Sequence, residues 1–356
     1  MNTQSSIAIV GAGLFGRLLA WRLARLNHRV TLFERGTPEL PNSPAYIAAG
    51  MVAPWCESIE ATTEVIRLGH ISLNLWPKWL DELARDSGEP RVHTTQGTYV
   101  VAHPLDLADW QHFVNQVQSH HFLQHAQVGG ILNTETLTQD APELAHFNQA
   151  LYLPDEIAID NRSLLHSLMR ALQRMQVIWH SDTLLTITEV LNLSTRFDHV
   201  FDCRGLGAKD ALPTLRGVRG EVLRIHCPQV QLTRVVRLIH PRYQLYIAPR
   251  ANHEFVIGAT SIESESMNGI SVRSSMELMS ALVTVSPHFF EATVLEAKSH
   301  CRPALPDHNP LCEQNIKHPK LWHINGLYRH GFMLSPAWIA HVLTHFFLRK
   351  SYEIID

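Results

Sequence analysis

With 356 residues the chain has room for two or three structural units. Its 33 acidic and 30 basic residues leave a formal charge of −3, and only 18% of residues are charged, which argues against a protein that works by neutralising nucleic-acid phosphates. An apolar content of 45% excludes a disordered chain, and a chain of this length buries enough surface to need no disulfide staples.

The most informative stretch comes first. Residues 7–10 are a short apolar, β-branched run that reads as a buried strand, and Gly11-Ala12-Gly13-Leu14-Phe15-Gly16 follows at once. Leu18, Leu19, Leu23 and Leu26 then recur at helical spacing, and residues 30–33 read as a second strand ending in Glu34. Strand, glycine turn, helix, strand and acid in this order form the context that gives a GxGxxG motif meaning. Gly11 permits the tight turn, Gly13 lets backbone N–H groups approach a pyrophosphate, and Gly16 lets the helix pack closely on the strand. The free N–H groups and positive dipole end of that helix attract the anion. Glu34 would accept bonds from the adenosine ribose hydroxyls and repel a 2′-phosphate. FAD and NAD share the adenosine diphosphate, so the motif serves either.

Downstream, residues 36–44 are rich in turn formers and lead into the small-residue loop AYIAAGMVAP. Residues 64–84 read as a helix bent at Pro77, 98–101 as a strand and 107–122 as a helix. Asn161 is the expected N-cap of the run SLLHSLMRAL. Residues 177–179 and 199–202 look like strands returning to the first sheet, the second ending in another glycine turn, CRGLG. From 220 to 261 the pattern changes to closely spaced strands, EVLRIHC, RVVRLIH, YQLYIAP and EFVIGAT, as in an antiparallel sheet. A helix over 274–285, strands over 292–298 and 321–324, and a helix over 333–348 complete the reading. The apolar stretch 338–348 is broken by His341 and His345, and nowhere do about 18 apolar residues run together as a membrane helix needs. Five cysteines in odd number, without a CxxC pair, point to a reducing, cytoplasmic setting. The 23 histidines are scattered without HExxH or zinc spacing, so no metal is expected.

Four segments, IAIVGAGLFGRLLAWRLARLNHRVTLFERG, AAGMVAP, RPALPDHNP and NGLYRHGFMLSP, occur in the order seen in the D-amino-acid oxidase superfamily of FAD enzymes. Within it the chain most resembles the thiamine-pathway glycine oxidases. The resemblance implies FAD and an α/β (α+β) fold: a Rossmann-like FAD-binding domain interleaved with an antiparallel-sheet substrate domain. The FAD-binding pieces would be 1–85, 151–219 and 299–356, and the substrate domain 86–150 and 220–298. It further implies that Ala49, Gly50 and Met51 lie beside the flavin ring, where small residues let main chain lie flat and a thioether is a soft apolar wall. Asn42 and Ser43 would stand in for the Ser or Thr that precedes this loop in relatives. Leu14, Phe15, Arg35 and Leu184 join the cofactor set, as do Leu327, Tyr328, Arg329, His330, Gly331, Phe332 and Met333 at the far end. A reduced flavin gathers negative charge at N1 and O2, so a helix N-terminus near Met333 would favour reduction.

The same resemblance makes Arg302 the clamp on a substrate carboxylate, a task suited to a planar guanidinium. Tyr246 is a second carboxylate or pocket contact, or else a core aromatic. Tyr243 competes with it, because strand phase is not fixed by one sequence. Arg329 would lie near the substrate amine through its main chain, and Met51 near the substrate. The implied reaction oxidises a small amino acid (glycine, sarcosine or a D-amino acid) at its C–N bond. A hydride passes to flavin N5, the imine hydrolyses to an oxo acid and ammonia or an amine, and oxygen or a quinone takes the electrons. The alternatives are a quinone-linked D-amino-acid dehydrogenase, a non-catalytic flavoprotein partner, and an NAD-dependent dehydrogenase, which would account for residues 7–34 alone. Cys301 is the cysteine to test for covalent flavin attachment. A homo-oligomer is left open.

Overall fold

The computed structural model describes residues 4–39, 43–119, 129–239 and 244–347. The β-branched N-terminal run forms the strand Ser6–Val10, and the apolar residues at helical spacing form helix α1 (Leu14–Arg25). Ser6–Val10 lies inside a six-stranded sheet ordered Leu311–Gln314, Leu321–Asn325, His199–Asp202, Ser6–Val10, Arg29–Phe33, Ile178–His180. All neighbours are parallel except the first pair. Such a sheet must be covered on both faces. One face packs on α1 together with α2 (Thr63–Ser87), α3 (Asn161–Arg174) and α4 (Gly331–Phe346) through Leu18, Trp21, Trp76, Leu168 and Ile339. The opposite face is closed by Val190 and Leu193 of the short helix Ile187–Leu193.

The second sheet has nine strands. Eight run in the order Thr293–Ala304, Arg216–His226, Glu254–Gly258, Gln244–Pro249, Val235–Ile239, Thr94–Ala102, Gln149–Ile159 and Met51–Val52, with Ile131–Asn133 added beside Gln149–Ile159. Pairing is antiparallel except between Val235–Ile239 and Thr94–Ala102. The antiparallel reading of 220–261 therefore holds, with a different order. The strand containing EVLRIHC pairs with EFVIGAT and with Thr293–Ala304 rather than with its successor RVVRLIH. Helix Val272–Val285 covers one face, and helix Leu107–Ser119 the other through Trp110, Phe113 and Val117.

The ends of several elements differ from expectation. The N-cap of α3 is Asp160, whose Oδ1 accepts from the Arg162 and Ser163 amides at 3.1 and 3.2 Å. Asn161 is instead the first helical residue, and its side chain donates to the Ala45 and Tyr46 carbonyls at 2.9 and 2.7 Å. Pro77 lies inside α2 without ending it. The strand predicted over 292–298 continues through Arg302 to Ala304. The end of the helix read over 107–122 and residue 348 lie outside the described residues. Strands Gln149–Ile159, Arg216–His226 and Thr293–Ala304 all belong to the nine-stranded sheet, so the two sheets alternate along the chain.

Candidate active site

The glycines at the C-terminal edge of the first sheet act where a side chain could not fit. Gly11 has φ +98°, and a Cβ there would lie 2.4 Å from the Cys203 carbonyl oxygen. A Cβ on Gly16 would lie 2.0 Å from the carbonyl oxygen of Gly11. Gly13 differs: it is the N-cap of α1, makes no side-chain cap bond, and has open space where its Cβ would stand. No acidic residue occupies the first turn of α1, so its amides and dipole face that space. Leu14 and Phe15 are buried behind it. The buried Glu34 carboxylate accepts from the Ala12 amide at 2.6 Å and from the Gly36 amide at 3.1 Å, which fixes it beside the glycine turn. Arg35 is exposed. Leu184 is exposed as well, next to Thr183, whose amide donates to the Glu34 carbonyl at 2.8 Å.

Arg17, which the sequence reading passed over, is almost fully buried under this turn. It donates to the carbonyls of Ala12 (2.8 Å), Leu165 (3.1 Å) and Pro38 and lies 4.8 Å over the Trp179 ring. Burial pulls its guanidinium down to about 10. A charged residue directly after the third glycine was the available signal.

A second helix start lies at the other end of the site. Leu321–Asn325 leads through Gly326 (φ +72°) to Leu327, Tyr328, Arg329 and His330, and α4 begins at Gly331. His330 is its N-cap without a side-chain cap bond, and a Cβ on Gly331 would meet nothing within 4 Å. Burial pushes the His330 imidazole down to about 4, so it is neutral at physiological pH. Leu327 packs against the helix-rich core, whereas the Tyr328 hydroxyl lies 3.0 Å from Ser261 Oγ. Met333 is buried in the core.

Between this helix start and the nine-stranded sheet lies a cleft of about 880 Å3, open solvent included. It is lined by Ala49, Gly50, Met51 and Phe332 together with Gly220, Tyr246, Thr260, Ser261, His300 and Arg302. Gly50, at φ +66°, packs so closely that a Cβ would fall 2.1 Å from the Ile159 carbonyl oxygen. The Ala49 carbonyl accepts from Arg250 at 2.7 Å. Ser43 caps the short helix Pro44–Ile47, accepting from the Tyr46 amide at 3.2 Å. Asn42 and Tyr243 lie outside the described residues.

Arg302 enters the cleft from the strand Thr293–Ala304. Its Nη1 donates to the Thr260 carbonyl at 3.1 Å, and it makes no ion pair among the described residues. Burial pulls its guanidinium below the usual arginine value. Strand alternation sends His300 and Arg302 to the cleft and Cys301 to the other face, where Sγ lies 3.6 Å from the Ser264 and Ser266 carbonyls. Cys301 is thus turned away from the site. Arg329 also lines the cleft, but its side chain is taken up by carboxylates, with Nη2 2.8 Å from Glu57 and 2.7 Å from Glu60. Glu57, another residue sequence reading missed, is buried and accepts from the Tyr246 hydroxyl at 3.3 Å. Burial would raise its carboxyl, but the Arg329 guanidinium, with Arg237 and the Tyr246 hydrogen bond, holds it below the usual carboxylate value. An acid six positions after Met51 in an otherwise apolar run was its only signal.

The two uncapped helix starts and the pinned Glu34 fit the parts of FAD. One helix start suits the diphosphate, Glu34 the ribose, and the other helix start a ring that gains negative charge on reduction. That combination is what an FAD-dependent oxidoreductase requires. The family model of FAD-dependent oxidoreductases called DAO matches residues 6–346, and the chain belongs to that family. Over 337 residues, 94% of each chain, it is 36% identical to a thiamine biosynthesis oxidoreductase, ThiO, of Rhizobium etli. It is 25% identical to the glycine oxidase of Geobacillus kaustophilus over 360 residues, covering 94% of this chain and 91% of that one. The crystal structure of a glycine oxidase from that organism superposes with a TM-score of 0.81 at 21% identity, over 99% of this chain and 98% of the other. Among the described residues no helix is long and apolar enough to cross a membrane, and no group of His, Cys, Asp and Glu is arranged to hold a metal.

Proposed function

We propose that this protein oxidises a small amino acid at the bond between its α-carbon and nitrogen, giving an imine that hydrolyses to an oxo acid. The observation that carries the reading is Arg302: a half-buried guanidinium, without a carboxylate partner among the described residues, lining a cleft beside the α4 helix start. Such a group lacks only an anion, and a carboxylate would accept two parallel bonds from it. The six-stranded part of the chain would hold the FAD and the nine-stranded sheet the substrate. When bound, FAD supplies the acceptor for the hydride.

The protein's own contribution is alignment and dryness. Arg302 fixes the carboxylate and so orients the α-carbon, while Met51, Phe332 and Tyr246 exclude water. Burial disfavours the charged form of His330, and the Glu57 carboxylate is paired with Arg329, so the reading assigns neither of them the role of general base. The neutral amine of the substrate would supply the electron push. In steady-state assays with glycine, sarcosine and D-alanine, Arg302→Ala is expected to raise KM by roughly two orders of magnitude, the usual scale for losing a buried charged contact. FAD content should be retained. An unchanged KM would overturn the reading.

A further inference from the structure

The cleft holds two guanidinium groups, and they are not equivalent. Arg302 is unpaired among the described residues. Arg329 is paired twice, to Glu57, which is buried, and to Glu60, whose side chain is half exposed. Glu57 accepts from Tyr246 on its other oxygen and is the buried partner, held to Arg329 by charge at close range, while Glu60, which accepts the Arg329 hydrogen bond, is open to solvent screening. Arg329 nevertheless keeps unused bonding capacity, because its Nε is buried without a hydrogen-bond partner among the described residues. A carboxylate other than that held by Arg302 would therefore find a cation nearby that is already neutralised, and would meet the charge of Glu57.

We infer that Glu57 is a specificity-determining residue: by occupying Arg329 it leaves the cleft one usable guanidinium and restricts it to ligands with a single carboxylate. The inference deepens the proposed function, since it states which amino acids that site takes. It is a case of selectivity set by a repulsive element as well as an attractive one. Removing the charge of Glu57 takes away the repulsion and releases Arg329 toward a second acid group.

The test titrates the FAD-loaded protein with acetate and with malonate, neither of which can be oxidised as an amine, and follows the perturbation of the flavin spectrum. The wild-type protein is expected to bind acetate more tightly than malonate. Glu57→Gln is expected to shift the ratio of the two dissociation constants about tenfold toward malonate, a modest value for one unmasked charge. Adding Arg329→Gln to that variant should return the ratio to near its starting value. The inference is overturned by a wild-type preference for malonate, by a ratio unchanged in Glu57→Gln, by a shift that persists without Arg329, or by failure of acetate to perturb the wild-type spectrum. The wild-type arm stands even where a variant does not fold. If the ratio behaves as stated while no amino acid reduces the flavin, the reaction reading fails and the charge assignment survives.

Discussion

A methyl group placed on Gly220 would fall 2.3 Å from Nη2 of Arg302 and 2.5 Å from its Cζ. The obstructing atoms belong to the end of a long side chain rather than to backbone, so the fold can absorb the change by moving the guanidinium. Gly220→Ala is therefore expected to raise KM for the amino-acid substrate by about tenfold with little change in thermal midpoint or FAD content, the signature of a displaced clamp. A large loss of stability with unchanged KM would show that Gly220 serves packing alone. This position also marks a limit of the sequence. Gly11, Gly13, Gly16 and Glu34 were legible because their partners lie within one strand–helix–strand unit, so spacing alone relates them. Gly220 and Arg302 meet across neighbouring strands far apart in the chain, and Glu57 reaches Arg329 from a different segment again. No local pattern reports such meetings.

Among the elements, the strand Gln149–Ile159 was the least visible. Pro154, Asp155 and Glu156 interrupt its apolar run, yet it lies between Thr94–Ala102 and Met51–Val52 in the second sheet. Glu156 is fully buried, with its carboxylate accepting from the Cys56 amide at 2.8 Å and lying 3.1 Å from Cys56 Sγ. Burial outweighs these bonds and raises the carboxyl to about 7. An unfolded glutamate titrates near ~4.3, so the folded chain holds a proton that the unfolded chain has released. The stability this group contributes is full below about pH 4 and is lost as pH rises toward about 7. Glu156→Gln cannot titrate, so its stability relative to wild type should improve between about pH 5 and pH 8, by on the order of 1–3 kcal/mol in denaturant midpoints. A difference that stays constant across that range would contradict the assignment. The parallel strands of the first sheet, by contrast, were readable one by one as short apolar runs, whereas its antiparallel edge strand Leu311–Gln314, with Glu313 and Gln314, was not read. The pairing order of the second sheet was not readable, because antiparallel strands of similar composition carry no label for their neighbours.

At the scale of the whole molecule, the cleft lies where segments from the two sheets meet. The six-stranded sheet presents the glycine turn and, through Leu321–Asn325, the start of α4, while the nine-stranded sheet brings Arg302 and Tyr246 to the cleft. In the proposed reading FAD joins these halves and an amino acid is held between them. The most direct test mixes the purified, FAD-loaded protein with glycine, sarcosine or a D-amino acid in the absence of oxygen and watches the flavin absorbance. At least one of these should bleach the yellow oxidised form rapidly in the wild-type protein and far more slowly, at the same concentration, in Arg302→Ala. A flavin that stays oxidised with every member of the panel, or bleaches equally fast without the guanidinium, would contradict the account.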